Sequence, residues 1–389
     1  MTRRTSCGAS SEWEILLACA APDSNPRSVP KQINKLIQSD ELLCLAERHG
    51  VLPLLARRVE QSETLAALMS EETRGRLREK RRAQMLSTLS LTAKLFRLTE
   101  RFEEAGIEAV VVKGPTLAVQ AYGDASLRQY SDLDFVMPHE AVLRAMDVMR
   151  AAGFVTQISP QVAEAGRVPG QFLFLDGGRN LIVELHTERT LRYFPRPLPL
   201  NDFFARRVRI PLDGREVPVF SPEDTLSFIC VHGSKHLWER LRWIADVAAL
   251  ISRQKCFDWP RAVATARETG TERMVHLGLR LAMDLLNAPL PREIRAAVLA
   301  DGAAGRLVEE VLRWLPSEQE VERGLFERAC LRVQMRGDFL RGLRYLLRLA
   351  LAPTEEDWGN NTPAARVARW TEAARRPLRL ARKYRRAAP

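Results

Sequence analysis

The spacing of apolar residues changes twice along this chain, and that change limits the available folds more than any single motif does. From about residue 12 to residue 105 apolar side chains recur at helical spacing, as in ELLCLAERHGVLPLLARRV and STLSLTAKLFRLTERFEEAG, so they line one face of each helix. Between Ile107 and Phe220 the runs shorten and become β-branched or alternating: IEAVVV, DLDFVM, QFLFLD, LIVELH and RVRIPLDGREVPVF. Runs of this length bounded by Gly, Pro and Asp read as strands. Asp176-Gly177-Gly178 and Asp213-Gly214 read as hairpin turns, Pro138 stops a strand, and residues 139–152 suit an amphipathic helix. Ser221-Pro222-Glu223-Asp224 is a helix start, and helical spacing then runs to the end. A few short strands interleaved with helices predict an α+β chain with a small mixed sheet. The expected divisions are a helical region 1–105, a mixed core 106–220 and a helical region 221–389.

A chain of 389 residues exceeds what one compact core usually holds. Its formal net charge of +11 favours an anionic partner: a nucleotide, a nucleic acid or an acidic membrane surface. Six cysteines lie without metal-ligand spacing, several in apolar runs, and read as reduced and mostly buried thiols. No apolar run reaches the roughly 18 residues of a membrane span, and no signal-like segment opens the chain, so a cytoplasmic location is expected.

The chemistry concentrates in KGPTLAVQAYGDASLRQYSDLDFVMP, residues 113–138. Strand parity turns Asp132 and Asp134 to one face while Leu133 and Phe135 face the core. Two carboxylates side by side repel, and a divalent cation with oxygen ligands resolves the conflict. An Asp-x-Asp alone is common. Here it opens a strand, follows a Lys113-Gly114 turn, and is joined by Glu184, which shares a strand face with His186 in LIVELH.

These segments resemble the polymerase-β-type nucleotidyltransferase core, and more closely the bacterial group labelled uncharacterised nucleotidyltransferases. The resemblance covers most of the chain: HGVLPLL, VVKGPTLAVQAYGDASLRQYSDLDFVMP, IVELH, SPEDTLSFICVHGSKHLWERLRWIADVAALI, and APTEEDW with PLRLARKY. It implies a minimal nucleotidyltransferase core flanked by helical regions. It also implies Asp132, Asp134 and Glu184 as catalytic metal ligands for Mg²⁺, or Mn²⁺ in its place, with NTP as substrate. Around them Lys113, Gly114, Thr116, Arg128, Ser131 and His186 are expected as nucleotide contacts, with a solvated or salt-bridged side chain the alternative for Arg128 and a metal contact or a hydrogen bond to the metal ligands the alternatives for His186. The superfamily carries Gly-Ser at the triphosphate turn, whereas this chain has Lys113-Gly114-Pro115-Thr116. Thr116 would replace the serine hydroxyl and Lys113 would add a point charge on phosphate, but Pro115 removes a backbone donor.

His232 and His236 fall at i and i+4 on one helix face; with no third ligand near, His232, Lys235 and His236 are expected as nucleotide or acceptor contacts or as helix packing. Trp243 and Asp246 are expected to hold helices together. The tail beyond residue 363 is strongly basic, with RNA, an acidic membrane surface or plain solvation as its readings. The expected acceptor is a hydroxyl-type small molecule. The same chemistry on RNA or protein, as in toxin-like relatives, and a catalytically impaired nucleotide-binding regulator are the alternatives.

Overall fold

In the computed structural model the described residues are 10–23, 39–164, 170–178, 181–188, 194–196, 198–316, 324–337 and 339–351. The basic tail and Cys7 lie outside them. The α+β expectation holds: a mixed five-stranded sheet stands among many helices.

The sheet comprises β1 (Val110–Val111), β2 (Asp132–Val136), β3 (Phe154–Val155), β4 (Gln171–Asp176) and β5 (Ile182–His186), in the order β1-β2-β5-β4-β3. Only β2 and β5 are parallel; the other neighbours are antiparallel. A separate hairpin joins β6 (Val208–Leu212) to β7 (Arg215–Val219) through the expected Asp213-Gly214 turn, where both residues take positive φ. Two details differ from expectation. The run 107–112 yields only two paired residues, because Ile107 still donates to Phe102 O as the preceding helix ends, and the chain turns off toward a new helix at Gly114. The short edge strand β3 gave no alternating pattern in the sequence.

One face of the sheet is apolar. Leu133 and Phe135, Val183 and Leu185, and Phe172 and Phe174 are buried there against Leu95, Leu98 and Phe102 of the helix Glu71–Glu104 and Met146 and Met149 of the helix Val142–Ala151. The other face meets a second, larger core. That core joins the amino-terminal helices Ser11–Ala20, Ser39–His49 and Leu52–Gln61 to the later helices Pro222–Lys235, Leu241–Arg253 and Glu272–Leu286. Val136 and Val110 belong to this second core although they sit in the sheet. Both faces of the sheet are therefore walled, and polar residues on its second face are drawn into a partly closed seam. The cysteine expectation needs correction: Cys19 and Cys230 are buried, but Cys44 and Cys256 are exposed, because each lies on the outer side of its segment.

Candidate active site

The pairing of β2 with β5 assembles the carboxylates. In this parallel register Asp134 lies beside Glu184, and Val136 beside His186. Alternation then places Asp132, Asp134, Glu184 and His186 on one face of two adjacent strands. Nothing in the separate segments, about 50 residues apart, carries that register; the core residues between them do. Sliding β5 by one residue would expose Val183 and Leu185 and bury Glu184.

Asp134 is fully enclosed, and its Oδ1 lies 2.8 Å from the Lys113 ammonium and 3.0 Å from His186 Nε2. The same Nε2 lies 3.2 Å from Glu184 Oε2, so one imidazole bridges two carboxylates. Burial by itself would raise the Asp134 pKa, but the Lys113 charge and the His186 hydrogen bond outweigh it and hold Asp134 well below the usual carboxylate range. Burial likewise opposes ionisation of Glu184, and its His186 bond reverses that, leaving it below its ordinary value. His186 moves up: burial disfavours the charged ring, yet its bonds to Asp134 and Glu184 prevail. Asp132 shifts the other way, raised by burial and then by the neighbouring Asp134 charge. Two aspartates on one strand thus occupy opposite electrostatic settings.

Lys113 ends the bend that starts the helix Gly114–Tyr122, and Gly114 adopts φ 55°, a conformation glycine reaches without Cβ strain. A Cβ at Gly114 would lie 3.6 Å from Asp132 O, an ordinary contact, so the positive φ and not a lack of space calls for glycine. The Thr116 hydroxyl donates to Lys113 O at 2.8 Å and so braces the turn. The ammonium of Lys113, the residue expected on phosphate, lies on Asp134. Ser131 is exposed at the entry to β2. Arg128 is buried and pairs through Nε with both Asp246 oxygens at 3.1 and 3.0 Å, while the Tyr122 hydroxyl donates to the same carboxylate. This network ties the Ala125–Leu127 turn to the helix Leu241–Arg253, the packing role expected of Asp246.

The structure brings part of the 232–236 segment to the site. His232 and Lys235 line a pocket with Lys113, Glu184 and His186 whose remaining walls include Phe194, Leu198, Phe228 and Val231. It measures about 510 Å³ including its open mouth. His236 instead stacks on Trp243 at 5.0 Å. Burial, followed by nearby cations, pushes both imidazoles down, His232 well below its ordinary value and His236 to about 3. They are neutral rings at physiological pH. The aromatic walls were absent from the sequence reading, although Phe228, Val231, His232 and Lys235 repeat at i, i+3, i+4 and i+7, the spacing of one helix face. Phe194 and Leu198 carry no such signal, because their loop reaches the pocket only through tertiary packing.

Whether the site suits a cation turns on its donors. Asp134, Glu184 and His186 each offer a ligand atom, all within 4.8 Å of one another. Asp134 Oδ2 is buried and has no hydrogen-bond partner among the described residues, a state that costs free energy unless a positive charge meets it. Two carboxylates and one imidazole form a donor set that divalent cations accept. Asp132 lies on the same face but outside that three-residue group.

A family profile described as an uncharacterised nucleotidyltransferase matches residues 35–287, nearly two-thirds of the chain, including all the residues above. No curated protein matches. Among solved structures, an antigenic nucleotidyltransferase-like protein from Paracoccidioides brasiliensis is similar at 14% identity and a TM-score of 0.32, over 56% of this chain and 96% of that one.

Proposed function

The chain belongs to the uncharacterised nucleotidyltransferase family, and from that premise we propose that it moves a nucleoside monophosphate from an NTP to a hydroxyl of a small molecule. The observation that carries the proposal is the buried Asp134 with one oxygen held by Lys113 and His186 and the other without a hydrogen-bond partner among the described residues, beside an ionised Glu184. Asp134 and Glu184, with Asp132 on the same face, would hold Mg²⁺, or Mn²⁺ in its place; His186 suits the hydrogen-bonding shell of Mg²⁺, which prefers oxygen, and direct ligation of Mn²⁺. Such a cation supplies charge neutralisation for the triphosphate and for departing pyrophosphate.

The chain's own groups have distinct tasks. Glu184, as a cation ligand or as a base, helps the acceptor hydroxyl shed its proton as the hydroxyl oxygen bonds to the α-phosphorus and the bond to the β-phosphate oxygen breaks, releasing pyrophosphate. His186, bridging Asp134 and Glu184, orients both carboxylates. Lys113 holds a positive charge at the floor of the pocket, where it compensates Asp134 and stands ready for a phosphate oxygen. The pocket beside Glu184 is about 510 Å³ with its open mouth and combines apolar walls with Lys113, Glu184, His186, Thr187, His232 and Lys235, which fits a compact, polar acceptor better than a polymer. Residues 106–220 are then the catalytic unit, and the helices of the second core, drawn from both 1–105 and 221–389, wall its polar face.

The test is incubation of the full chain with each α-³²P-labelled NTP, Mg²⁺ and fractionated small-molecule extract. Label should appear in a small-molecule fraction with release of pyrophosphate, and Asp132→Ala/Asp134→Ala should abolish it. Equal labelling by the double variant, or no transfer with any NTP, would sink the proposal.

A further inference from the structure

Among the described residues the helix Phe339–Leu351 is anchored through Gly342 and Tyr345. Gly342 lies so close to Val333 of the helix Leu325–Gln334 that a Cβ there would come within 2.5 Å of Val333 Cγ1. Tyr345 is buried, with the Arg336 guanidinium 3.1 Å from its ring centroid. This docking sets the rotation of the helix and turns Leu340, Leu343 and Leu347 outward, 71%, 41% and 52% exposed. The three fall at i, i+3 and i+7, a continuous apolar stripe. Phe326, at the start of the preceding helix, is 83% exposed. Scattered exposed leucines need no explanation, but an ordered stripe on a helix held in place by its opposite face does.

The charge of the same region identifies what the stripe meets. Residues 339–389 hold twelve Arg and Lys against four Asp and Glu, a net +8 in a chain whose total is +11. By helical spacing positions 341, 344 and 348 flank the leucine stripe on one side, and all three are arginine; Arg344 is exposed. Leucines in a row, edged by arginines and followed by a basic segment, are the features of a helix that lies in the plane of an anionic bilayer surface, leucines toward the acyl chains and guanidinium groups at the headgroups. A nucleic acid would meet the charge but gains nothing from exposed leucines, since single-strand binding rests on aromatic stacking.

We infer that the leucine face of Phe339–Leu351, edged by arginine, docks the protein on an anionic lipid surface. The docking leaves the carboxylate site free, because none of the described side chains of that helix lines the pocket beside Glu184.

Co-sedimentation of the full chain with vesicles of phosphatidylcholine alone, and of phosphatidylcholine with about one-third phosphatidylglycerol, tests the inference. Binding is expected on the anionic vesicles only, weakening as salt screens the arginines. Leu340→Ser/Leu343→Ser/Leu347→Ser should lower the vesicle partition coefficient by about tenfold or more, since each buried methylene contributes substantially to interfacial binding. The single variants should show graded losses, and Leu340→Phe/Leu343→Phe/Leu347→Phe should stay near wild type, which separates lost docking from lost folding. No binding of wild type to anionic vesicles overturns the inference. So does equal binding by the triple serine variant, or a gel shift with a generic RNA that exceeds vesicle binding and ignores the leucines.

Discussion

Asp134 sits in the interior as a carboxylate because Lys113 and His186 share one of its oxygens. Removing one member of a buried ion pair costs far more than the pair contributes, because the survivor is left uncompensated. Lys113→Met should therefore destabilise the fold by about 3–5 kcal/mol, read by urea unfolding. Adding Asp134→Asn to that variant should restore part of the loss; a further loss of the same size would mean that Lys113 is not the partner Asp134 depends on. Asp134→Asn alone should reduce label transfer by about a hundredfold or more, as expected for loss of a charge acting on the transferring phosphoryl group. The measurement is initial rate at saturating Mg²⁺ and NTP, and a rate within threefold of wild type would remove Asp134 from the chemistry. At this scale the sequence was informative about identity and parity: Asp132, Asp134, Glu184 and His186 do share a face. It could not show that Lys113 lies on a carboxylate or that Arg128 is taken up by Asp246, because both pairings cross segments far apart in the chain.

Among the elements, the helix Pro222–Lys235 controls one wall of the pocket, and how it ends matters. Leu237 and Trp238 both adopt left-handed φ, 54° and 55°, directly after it, a conformation costing about 1 kcal/mol or more per residue. Burial of Trp238 offsets that cost. Its ring lies over Gly233 and Gly278, where added Cβ atoms would meet it at 2.6 and 2.9 Å. Gly278→Ala should push Trp238 and the Cys230 thiol aside, cost about 1–3 kcal/mol by overpacking, and loosen the wall carrying His232 and Lys235. Denaturant midpoints should show the loss, and the KM for the acceptor should rise more than the KM for NTP. Unchanged stability would mean that the helices separate freely at this contact. The Ser221-Pro222 start of this helix was legible, and Ser221 Oγ does accept from Asp224 N. Its close was not, because two non-glycine residues with positive φ carry no local signature. The same holds for 107–112, where β-branched composition predicted a longer strand than the neighbouring helix end leaves room for.

Taken as a whole, the molecule joins two cores along the sheet, and several imidazoles are enclosed near that junction. His49, held at about 3 by burial and then Arg48, accepts the Leu241 N–H through Nδ1 and packs against Trp13. His232 and His236 are depressed as well, also by burial first. Each such ring has a folded pKa below its unfolded value, so on acidification the unfolded chain takes up the proton first. Stability should then be full above about pH 6.5 and fall as pH drops below it, by at most about 1.4 kcal/mol per pH unit for each ring. His186, shifted upward, does not offset this: below about pH 6.5 it is protonated in both states. Thermal melts between pH 7.5 and 5 should show the decline, which His49→Gln should reduce; a flat melting temperature would mean that the rings are solvated. No helix among the described residues is long and apolar enough to cross a membrane.

What the amino-acid sequence determined on its own was local: where apolar period switches from helix to strand, which turns take Asp-Gly, that Asp132 and Asp134 share a strand face, and that the carboxylate motif sits in a family-like frame. These follow from backbone geometry within a few residues, which composition and spacing encode directly. The tertiary structure decided which charges meet. Register between β2 and β5 put Glu184 and His186 against Asp134, the seam between two cores enclosed them, and docking of the helix Phe339–Leu351 turned its leucines outward. Each depends on close packing of side chains separated by tens to hundreds of residues, and such packing belongs to the whole chain rather than to any window of it.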